Sequence, residues 1–404
     1  MSIIFFIKIY YPKLYVLIQS HFSFLKSYKI MRVSIVLFLL LSSLYGASQN
    51  FYLLIGTYTG TGSKGIYVYN FNAQTGKTKW VSNTDTVTNP SYITLSHNGN
   101  FVYAVNETNG ANPGKVSAFS FNKNNGKLKF LNTELSGGDD PCYVATSDND
   151  KWIAVANYSG GSVSVFPLNK NGLLQPYSQL VQDSGSSVNK VRQAKAHAHE
   201  SVFSPDNNYL FIPDLGTDKV MIYKFISLSK KPLQPSSLAF VNTPAGSGPR
   251  HITFHPAKKF AYVIHELSGT VTAYSYNNGK LKAIQELPTH PEGFKGVIGS
   301  AEVFVSPDGK FLYASNRGDE NTITIFSVNP STGKLKLIGY QSVLGKAPRN
   351  FIIDPTGNYL LVANQDSDNI VIFKRDKKTG LLKETQNQIK LPKPVCLQMV
   401  KMDR

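Results

Sequence analysis

The chain repeats one pattern about every 51 residues: an apolar strand, a turn rich in Asp, Asn and Gly, a second apolar strand, and a polar residue where that strand ends. The polar residues that end the second strands are Asn106, Asn157, Asp214, His265, Asn316 and Asn364. Four short strands in each repeat, with no helical segment between them, are typical of a β-propeller, and seven repeats fit into the chain. The pattern predicts an all-β fold, a seven-bladed β-propeller of four-stranded antiparallel blades.

The two ends of the chain indicate how the ring of blades closes. The first repeat lacks its first strand, whereas the segment KPVCLQMV at 393–400 supplies an additional one after the last repeat. We expect this C-terminal strand to join the N-terminal blade and to complete its four strands. The propeller is predicted to occupy residues 49–404 as a single domain.

Residues 1–48 differ from the rest of the chain because they contain no Asp or Glu and lack the repeat. A signal peptide is predicted over 31–48, where a basic residue, an apolar run and small residues follow one another, and residues 1–30 are interpreted as an upstream extension. The apolar run is short of the roughly 20 residues that span a bilayer, which favours cleavage over an uncleaved anchor. The mature protein is expected in the periplasm or outside the cell, with no stable membrane span.

The formal net charge of +17 weakly favours anionic partners. Many of the lysines follow the glycine that precedes a fourth strand, at the outer edge of each blade, where charge deters pairing with other chains. No basic cluster with interleaved aromatic side chains occurs, so nucleic acid is not expected as a partner.

The chain has two cysteines, Cys142 and Cys396. The repeat assigns them to the first strands of blades that are not adjacent, so their Cα atoms are expected to lie beyond the roughly 7 Å limit for a disulfide. Free thiols are predicted, and a strained disulfide between strands is the alternative.

The register of the repeat places two sets of residues on one face of the propeller, next to the channel. The starts of the first strands form the first set: Ser91, Cys142, His199, Arg250, Ala301, Arg349 and a residue near Val395. The ends of the second strands form the second set: Thr57, Glu107, Tyr158, Leu215, Glu266, Arg317 and Gln365. Charged residues break the repeat at these positions, and buried charge is costly unless it is paired. The pattern favours a site for an anionic ligand, and a salt-bridge network that only joins the blades is the alternative.

The histidines give a weaker signal. His197 and His199 would place both rings on one face of a strand, but no further ligand at convincing spacing follows, and Glu200 is expected on the opposite face. No metal site and no cofactor are therefore predicted. His251 and His265 are interpreted as structural residues that point into the blade. The chain has no G-x-S-x-G, H-E-x-x-H or phosphate-loop motif, which leaves acid–base chemistry beside positive charge.

Several blade motifs in order resemble the seven-bladed propeller lactonases, the family of bacterial 6-phosphogluconolactonases that includes the fungal carboxymuconate cyclase. The resemblance covers residues 51–400 and rests on motifs such as HAHESVFSPDNNYLFIPDLGTDKV, GPRHITFHPAKKFAYVIHEL and SAEVFVSPDGKFLYASNRG. It implies hydrolysis of a sugar lactone, or the related lactone-forming reaction, at the channel mouth without a metal. It also implies that the site residues are the His of HAHE, the Arg of GPRH, the Glu of HEL and the Arg of SNRG, here His199, Arg250, Glu266 and Arg317.

Opening a lactone needs a base for water, charge stabilisation on the carbonyl oxygen and a proton for the departing alkoxide. Glu266 and His199 are expected to be the base and the proton donor, in an order left open, while Arg250 and Arg317 hold the substrate anion and the oxyanion. The residues predicted to bind the substrate are Arg349, Gln365, Glu107 and His197.

The expected substrate is a sugar lactone or another anionic lactone. The predicted export leaves open whether that lactone is phosphorylated, because phosphorylated sugar lactones belong to cytoplasmic metabolism. The alternative is a non-enzymatic propeller that binds a carbohydrate or a protein partner through the same face.

Overall fold

The structure is a computed structural model, and it describes residues 13, 16, 17, 50–84 and 87–403. The chain divides into two units, residues 1–49 and 50–404. In the first unit Lys13, Val16 and Leu17 are helical and exposed, and the predicted signal peptide lies outside the described residues. No helix in the described part of the chain is long and apolar enough to cross a membrane.

The described part of the second unit consists of strands joined by turns and loops. The first strands in chain order are β1 (Asn50–Thr57), β2 (Tyr67–Asn72), β3 (Thr78–Asn83), β4 (Ile93–Leu95), β5 (Phe101–Asn106), β6 (Lys115–Asn122), β7 (Lys127–Leu135), β8 (Pro141–Thr146), β9 (Trp152–Asn157), β10 (Ser162–Pro167), β11 (Gln179–Gln182), β12 (Val202–Phe203), β13 (Tyr209–Asp214), β14 (Lys219–Phe225) and β15 (Leu233–Asn242). The remaining strands are β16 (Pro249–Phe254), β17 (Phe260–His265), β18 (Thr270–Asn277), β19 (Lys280–Pro288), β20 (Ser300–Val305), β21 (Phe311–Asn316), β22 (Thr322–Val328), β23 (Leu335–Ser342), β24 (Pro348–Ile353), β25 (Tyr359–Asn364), β26 (Asn369–Arg375), β27 (Leu382–Lys390) and β28 (Pro394–Lys401).

These strands form seven four-stranded antiparallel sheets, the blades of a β-propeller. Blade 1 has the strand order β28-β1-β2-β3, and blades 2 to 7 each use four consecutive strands, from β4–β7 to β24–β27. The predicted all-β, seven-bladed fold is confirmed. The C-terminal strand closes the N-terminal blade as predicted, because β28 pairs with β1 from Thr57 opposite Pro394 to Phe51 opposite Lys401.

Tight turns join the first and second strands of blades 2 to 7. The third residue of each turn has a left-handed backbone, with φ from 53° to 72°, at Gly99, Asp150, Asn207, Lys258, Gly309 and Gly357. Gly, Asn and Asp tolerate this conformation better than other residues do. The Asp/Asn/Gly motifs of the sequence therefore correspond to the reversals that place the second strands beside the first.

The apolar core lies between blades. Seven clusters of buried side chains each join two neighbouring blades, and one of them joins blade 7 to blade 1. In that cluster Leu53 of β1 packs with Leu361 and Ala363 of β25, and all three are completely buried. A blade on its own would leave both apolar faces in water, so the ring is stable only when it is complete.

A glycine before the fourth strand packs against the preceding blade at six places around the ring. Gly172 lies against the ring of Phe101 and Gly380 against the ring of Phe311, with φ of +81° and +77°. A Cβ atom would lie 2.1 Å from the first ring and 2.4 Å from the second. The repeated glycine thus combines a left-handed backbone with a contact that no side chain permits.

We expect a chain that ends at Pro392 to lose the cooperative fold of the whole ring. The truncation removes β28, whose Val395, Cys396 and Leu397 are almost fully buried, and each such apolar side chain contributes roughly 1.5–3 kcal/mol. Thermal unfolding and limited proteolysis measure the effect, with a chain that ends at Met402 as the control. Resistance equal to that of the full chain would contradict the proposed role of closure.

Candidate active site

Polar side chains at the ends of the second strands fix the loops that lead into the first strands. Asn106, Asn157, Asn316 and Asn364 each donate a hydrogen bond from Nδ2 to a carbonyl of such a loop, at 2.8–3.3 Å. Asp214 holds the equivalent position in blade 4 and accepts the backbone N–H of His197 at 2.7 Å. The repeated polar residue is structural, and it positions the segments that carry the first set.

β-Bulges interrupt the first strands where they enter the channel. The pairing register between first and second strands shifts around Cys142, Arg250, Arg349 and Val395, and again across residues 301–302. A bulge adds an unpaired residue and re-aims the side chains next to it. His251 consequently lines the channel beside Arg250. The expectation that His251 points into the blade is wrong for this reason.

The first set surrounds a small cavity at the channel mouth. The cavity of about 10 Å³ is lined by first-set residues and their neighbours, namely Ser91, Tyr92, Cys142, His199, Arg250, His251, Glu302, Arg349, Asn350 and Val395. All seven blades contribute to this lining. The cavity therefore exists only when the ring is closed.

Glu266 forms ion pairs with three arginines, and two of them, Arg192 and Arg250, also donate hydrogen bonds to it. Its Oε2 lies 2.9 Å from Nε of Arg250 and 2.9 Å from Nη2 of Arg317, and its Oε1 lies 2.6 Å from Nη2 of Arg192. Burial alone would raise the pKa of Glu266, but the three guanidinium groups hold it well below its ordinary value. The carboxylate is therefore ionised at neutral pH and has no proton to donate.

Arg250 is the most deeply buried of these cations, with a side chain that is 2% exposed. Its Nη1 donates to the carbonyl of Ala301 at 2.6 Å, which ties blade 5 to blade 6. Burial, together with Arg317 and Arg349, lowers the pKa of Arg250 to about 10. Arg250 remains charged at neutral pH, and Glu266 compensates that charge.

Arg349 and Glu107 lie on the other side of the mouth. Nη2 of Arg349 is 3.9 Å from Oε2 of Glu107, and the guanidinium lies 5.5 Å from the ring centroid of Tyr58. The hydroxyl of Tyr58 donates to both carboxylate oxygens of Glu107 at 2.9 Å. Arg349 is only 16% exposed, yet its guanidinium makes no hydrogen bond with the described residues. A nearly buried guanidinium with unused donors is suited to bind an anion.

His199 lines the same cavity as Arg250 and is 5% exposed. Among the described residues its ring has one polar side-chain contact, from Nδ1 to Sγ of Cys142 at 4.0 Å. Burial first, and then Arg250 and His251, lower the pKa of His199 well below its ordinary value. His199 is therefore neutral at pH 7 and can accept a proton.

His197 and His199 both contact Tyr158 but do not form a pair on one strand. The ring of His197 stacks on Tyr158 at 4.5 Å, whereas the ring of His199 meets Tyr158 edge-on at 5.4 Å. Nδ1 of His197 lies 3.0 Å from the carbonyl oxygen of Tyr158. In the described part of the chain no group of three His, Cys, Asp or Glu side chains converges as metal ligands.

Three of the four predicted catalytic residues, Arg250, Glu266 and Arg317, are in direct contact, and His199 shares the cavity with Arg250. Gln365 is placed differently: its side-chain amide donates to its neighbour Asp366 at 3.2 Å, and it does not line the cavity. Cys142 and Cys396 are buried free thiols, as predicted.

Arg192 and Tyr58 belong to the site although neither was predicted from the sequence. Arg192 lies in a loop between β11 and β12 that has no counterpart in the repeat. The loop is visible in the sequence only as a longer interval between the polar residues that end successive second strands: Asn157 and Asp214 are further apart than the other neighbouring pairs. Tyr58 follows Thr57 of the second set directly, and its aromatic ring under Arg349 was not anticipated.

A larger cavity of about 210 Å³ lies further along the channel, lined in part by Tyr92, Tyr143, Glu200, Glu302 and Asn350. Glu200 lines this cavity, whereas its neighbour His199 lines the small cavity at the mouth. Burial raises the pKa of Glu200 well above its ordinary value, while Glu302 is bonded to His251 at 2.9 Å. In this larger cavity Glu200 is therefore neutral and Glu302 is paired with His251. The guanidinium of Arg349, whose donors are unused, lies at the channel mouth instead.

Comparisons with known proteins agree with this geometry. Residues 52–399 match the family model described as "Lactonase, 7-bladed beta-propeller". A 6-phosphogluconolactonase of Formosa agariphila is 40% identical over 352 residues, which cover 86% of this chain and 99% of the relative. The 6-phosphogluconolactonase of Bacillus subtilis is 36% identical over 348 residues, covering 86% and 97%. The structure of the periplasmic gluconolactonase PpgL of Pseudomonas aeruginosa superposes with a TM-score of 0.83 at 37% identity, covering 88% of this chain and 100% of that one.

The three arginines around Glu266 make stability depend on pH in a defined direction. Because the pKa of Glu266 is lowered in the folded protein, its carboxylate contributes stability that is complete above the unfolded value of 4.5 and is lost as the pH falls through the lower folded value. We expect Glu266→Gln to be less stable than wild type by about 3 kcal/mol at pH 7, and the difference to shrink below pH 4.5.

Urea denaturation at pH 7, 5.5 and 4 measures this difference. Glu384→Gln is the control, because Glu384 is exposed on β27 and has no ion pair among the described residues. Equal stability of wild type and Glu266→Gln at pH 7 would mean that the arginines do not depend on this carboxylate.

Proposed function

Because the chain belongs to the lactonase family of seven-bladed β-propellers, we propose that it hydrolyses a sugar lactone at the channel mouth by acid–base catalysis between positively charged groups. The protein is a carboxylic ester hydrolase that opens a lactone, as its named relatives are. One observation carries the site assignment: neutral His199 and the unused donors of Arg349 lie beside the Arg250–Glu266–Arg317 cluster. A pure salt-bridge network would not account for the unused hydrogen-bond donors of Arg349, whose ion pair with Glu107 is 3.9 Å long.

The lactone binds above the small cavity. A cavity of about 10 Å³ holds roughly one water molecule, and a six-membered ring cannot enter it. The mouth above the cavity is where Arg317 and Glu107 lie, and both side chains are partly exposed, at 18% each. A lactone there has His199 and Arg250 beneath it.

Arg349 and Arg317 supply positive charge to the carbonyl oxygen of the lactone. Attack of water turns this oxygen into an oxyanion, and donors that already point at it lower the barrier because they do not need to reorganise. Arg317 uses Nε on the carbonyl of Gly299 at 3.0 Å and Nη2 on Glu266, which leaves Nη1 for substrate. This mechanism requires no metal ion, because the guanidinium groups provide the charge.

His199 takes the proton of the attacking water. The water oxygen bonds to the carbonyl carbon, the ring C–O bond breaks when the tetrahedral intermediate collapses, and the imidazolium returns its proton to the departing alkoxide. Arg250 beside it disfavours the imidazolium and so favours the second transfer. Glu266 has the complementary role: it stays ionised and holds Arg250 and Arg317 in position.

The predicted periplasmic or secreted location remains part of this proposal. The signal peptide at 31–48 would export the propeller, and the similar gluconolactonase PpgL is described as periplasmic. An exported enzyme would act on a lactone outside the cytoplasm.

The proposed activity predicts acid release from a lactone, and it predicts that His199→Gln abolishes most of it. The purified propeller is incubated with gluconolactone and, separately, with its 6-phosphate, and acid release above the uncatalysed rate is followed in a pH-stat. We expect His199→Gln to lower kcat by roughly 10²–10⁴-fold. Since the pKa of His199 lies well below 6.5, wild-type activity should not decline between pH 7.5 and 6.5.

His97→Gln is the control, because His97 is exposed and pairs with Asp150 at 3.3 Å on the surface. Absence of acid release from both lactones with wild-type protein would overturn the proposed function and favour a propeller that only binds its ligand. Full activity of His199→Gln would remove His199 from the mechanism.

Substitution by Gln should affect activity at Arg349 and stability at Arg375. Arg349→Gln removes donors that make no hydrogen bond with the described residues and one long ion pair, with Glu107 at 3.9 Å, so we expect a 10- to 100-fold loss of kcat/KM with little change in the melting temperature. Arg375→Gln removes hydrogen bonds to Tyr313 at 2.8 Å and to the carbonyl of Gly357 at 3.0 Å, so it should lower the melting temperature and leave KM unchanged. Steady-state kinetics and calorimetry of both variants test this. Loss of stability without loss of activity in Arg349→Gln would contradict its role.

A further inference from the structure

The loop of residues 184–198, which joins β11 to β12, is fastened to the propeller by buried groups. Asp218 accepts hydrogen bonds from Oγ of Ser187 at 2.5 Å and from Nε2 of Gln193 at 2.8 Å. Gln193 is completely buried and also donates to the carbonyl of Leu215 at 2.9 Å. Within the loop, the backbone N–H of Arg192 donates to Oδ1 of Asn189 at 3.1 Å. The loop is thus fixed on both sides of Arg192.

This loop lays three basic side chains against one turn of blade 3. Nη2 of Arg192 lies 3.2 Å from the hydroxyl of Tyr158, and Nζ of Lys195 donates to the carbonyl of Ser159 at 2.6 Å. His197 stacks on the ring of Tyr158. Because Arg192 also contacts Glu266, this basic patch adjoins the candidate active site.

Arg192 has donors to spare at this position. Its side chain is 42% exposed, and both of its hydrogen bonds, to Tyr158 and to Glu266, use Nη2. Nε and Nη1 have no hydrogen-bond partner among the described residues. Glu266 does not need Arg192 for neutralisation, since Arg250 and Arg317 already contact it. Arg192 is therefore a third cation beside a single carboxylate, Glu266. The positive charge that Glu266 does not neutralise is available to attract an anionic ligand.

We propose that Arg192 and Lys195 form an outer subsite that binds an anionic substituent of the substrate, a phosphate ester or a carboxylate, at a distance from the lactone carbonyl. This inference rests on the proposed lactonase function and adds to it the class of substrate. The planar fork of Arg192 suits two oxygens of such a group, and Lys195 adds a point charge. The substituent anchors the substrate, while the reacting carbonyl is bound by Arg349 and Arg317.

The test compares lactones with and without the anionic group. Steady-state kinetics of wild type and Arg192→Gln are measured with gluconolactone, with 6-phosphogluconolactone and with the carboxylate-bearing glucarolactone. We expect Arg192→Gln to lower kcat/KM for at least one anionic lactone by about 10- to 100-fold more than for gluconolactone, mainly through KM. Whichever of the phosphate and carboxylate lactones is affected identifies the substituent. Arg192→Lys should lose less, because it keeps the charge and loses only the fork.

Lys190→Gln is the matched control, since Lys190 lies in the same loop but, among the described residues, its Nζ donates only to the carbonyl of Ser187. Inorganic phosphate, tested as a competitive inhibitor of gluconolactone hydrolysis, should inhibit wild type more strongly than Arg192→Gln. An equal loss on neutral and anionic lactones would place Arg192 at the reacting centre and overturn the subsite, as would no loss on any of them. Either result leaves the lactonase function standing, whereas failure of wild type to hydrolyse every lactone overturns the function itself.

Discussion

Closure of the ring is the constraint on which the rest of the structure depends. The apolar clusters lie between blades, so each blade is stabilised by both of its neighbours, and blade 1 has its innermost strand only because β28 pairs with β1. The small cavity at the mouth is lined by residues from all seven blades. The same closure that buries the apolar faces therefore assembles the polar site, from positions that lie far apart in the chain.

Charge at the mouth is compensated in an uneven way. Glu266 binds three guanidinium groups, and two of its partners, Arg192 and Arg317, remain partly exposed. Removing charges from water is costly, and here the cost is offset by short ion pairs and by the backbone carbonyls of Ala301 and Gly299. Arg349 receives weaker compensation, because its ion pair with Glu107 is 3.9 Å long. The electrostatic arrangement thus keeps Arg250 in a fixed position and leaves donors of Arg192, Arg317 and Arg349 unused, as the proposed binding of anionic oxygens would require.

The repeat pattern was sufficient to predict the fold and several of the charged residues that meet at the channel mouth. Residues that depart from the repeat at equivalent positions, such as Arg250 and Glu266, do meet at the channel mouth. One expectation failed at the first strands, for His251, because the β-bulge at Arg250 re-aims the side chains there and simple alternation no longer holds. Arg192 could not be predicted, since its loop has no counterpart in the other blades. Hydrogen bonds from Ser187 and Gln193 of the loop to Asp218 fix its position, and sequence spacing does not reveal them.

The sequence by itself determined the number of blades, the strand order within them and the face on which the unusual residues gather, because each of these follows from a periodic pattern that recurs in every repeat. Only the tertiary structure decided which charges are paired, which arginine keeps unused donors and how far a ligand can enter the channel. Those properties depend on distances and burial between side chains from different blades, and a repeat pattern fixes the backbone register without fixing the contacts made across the channel.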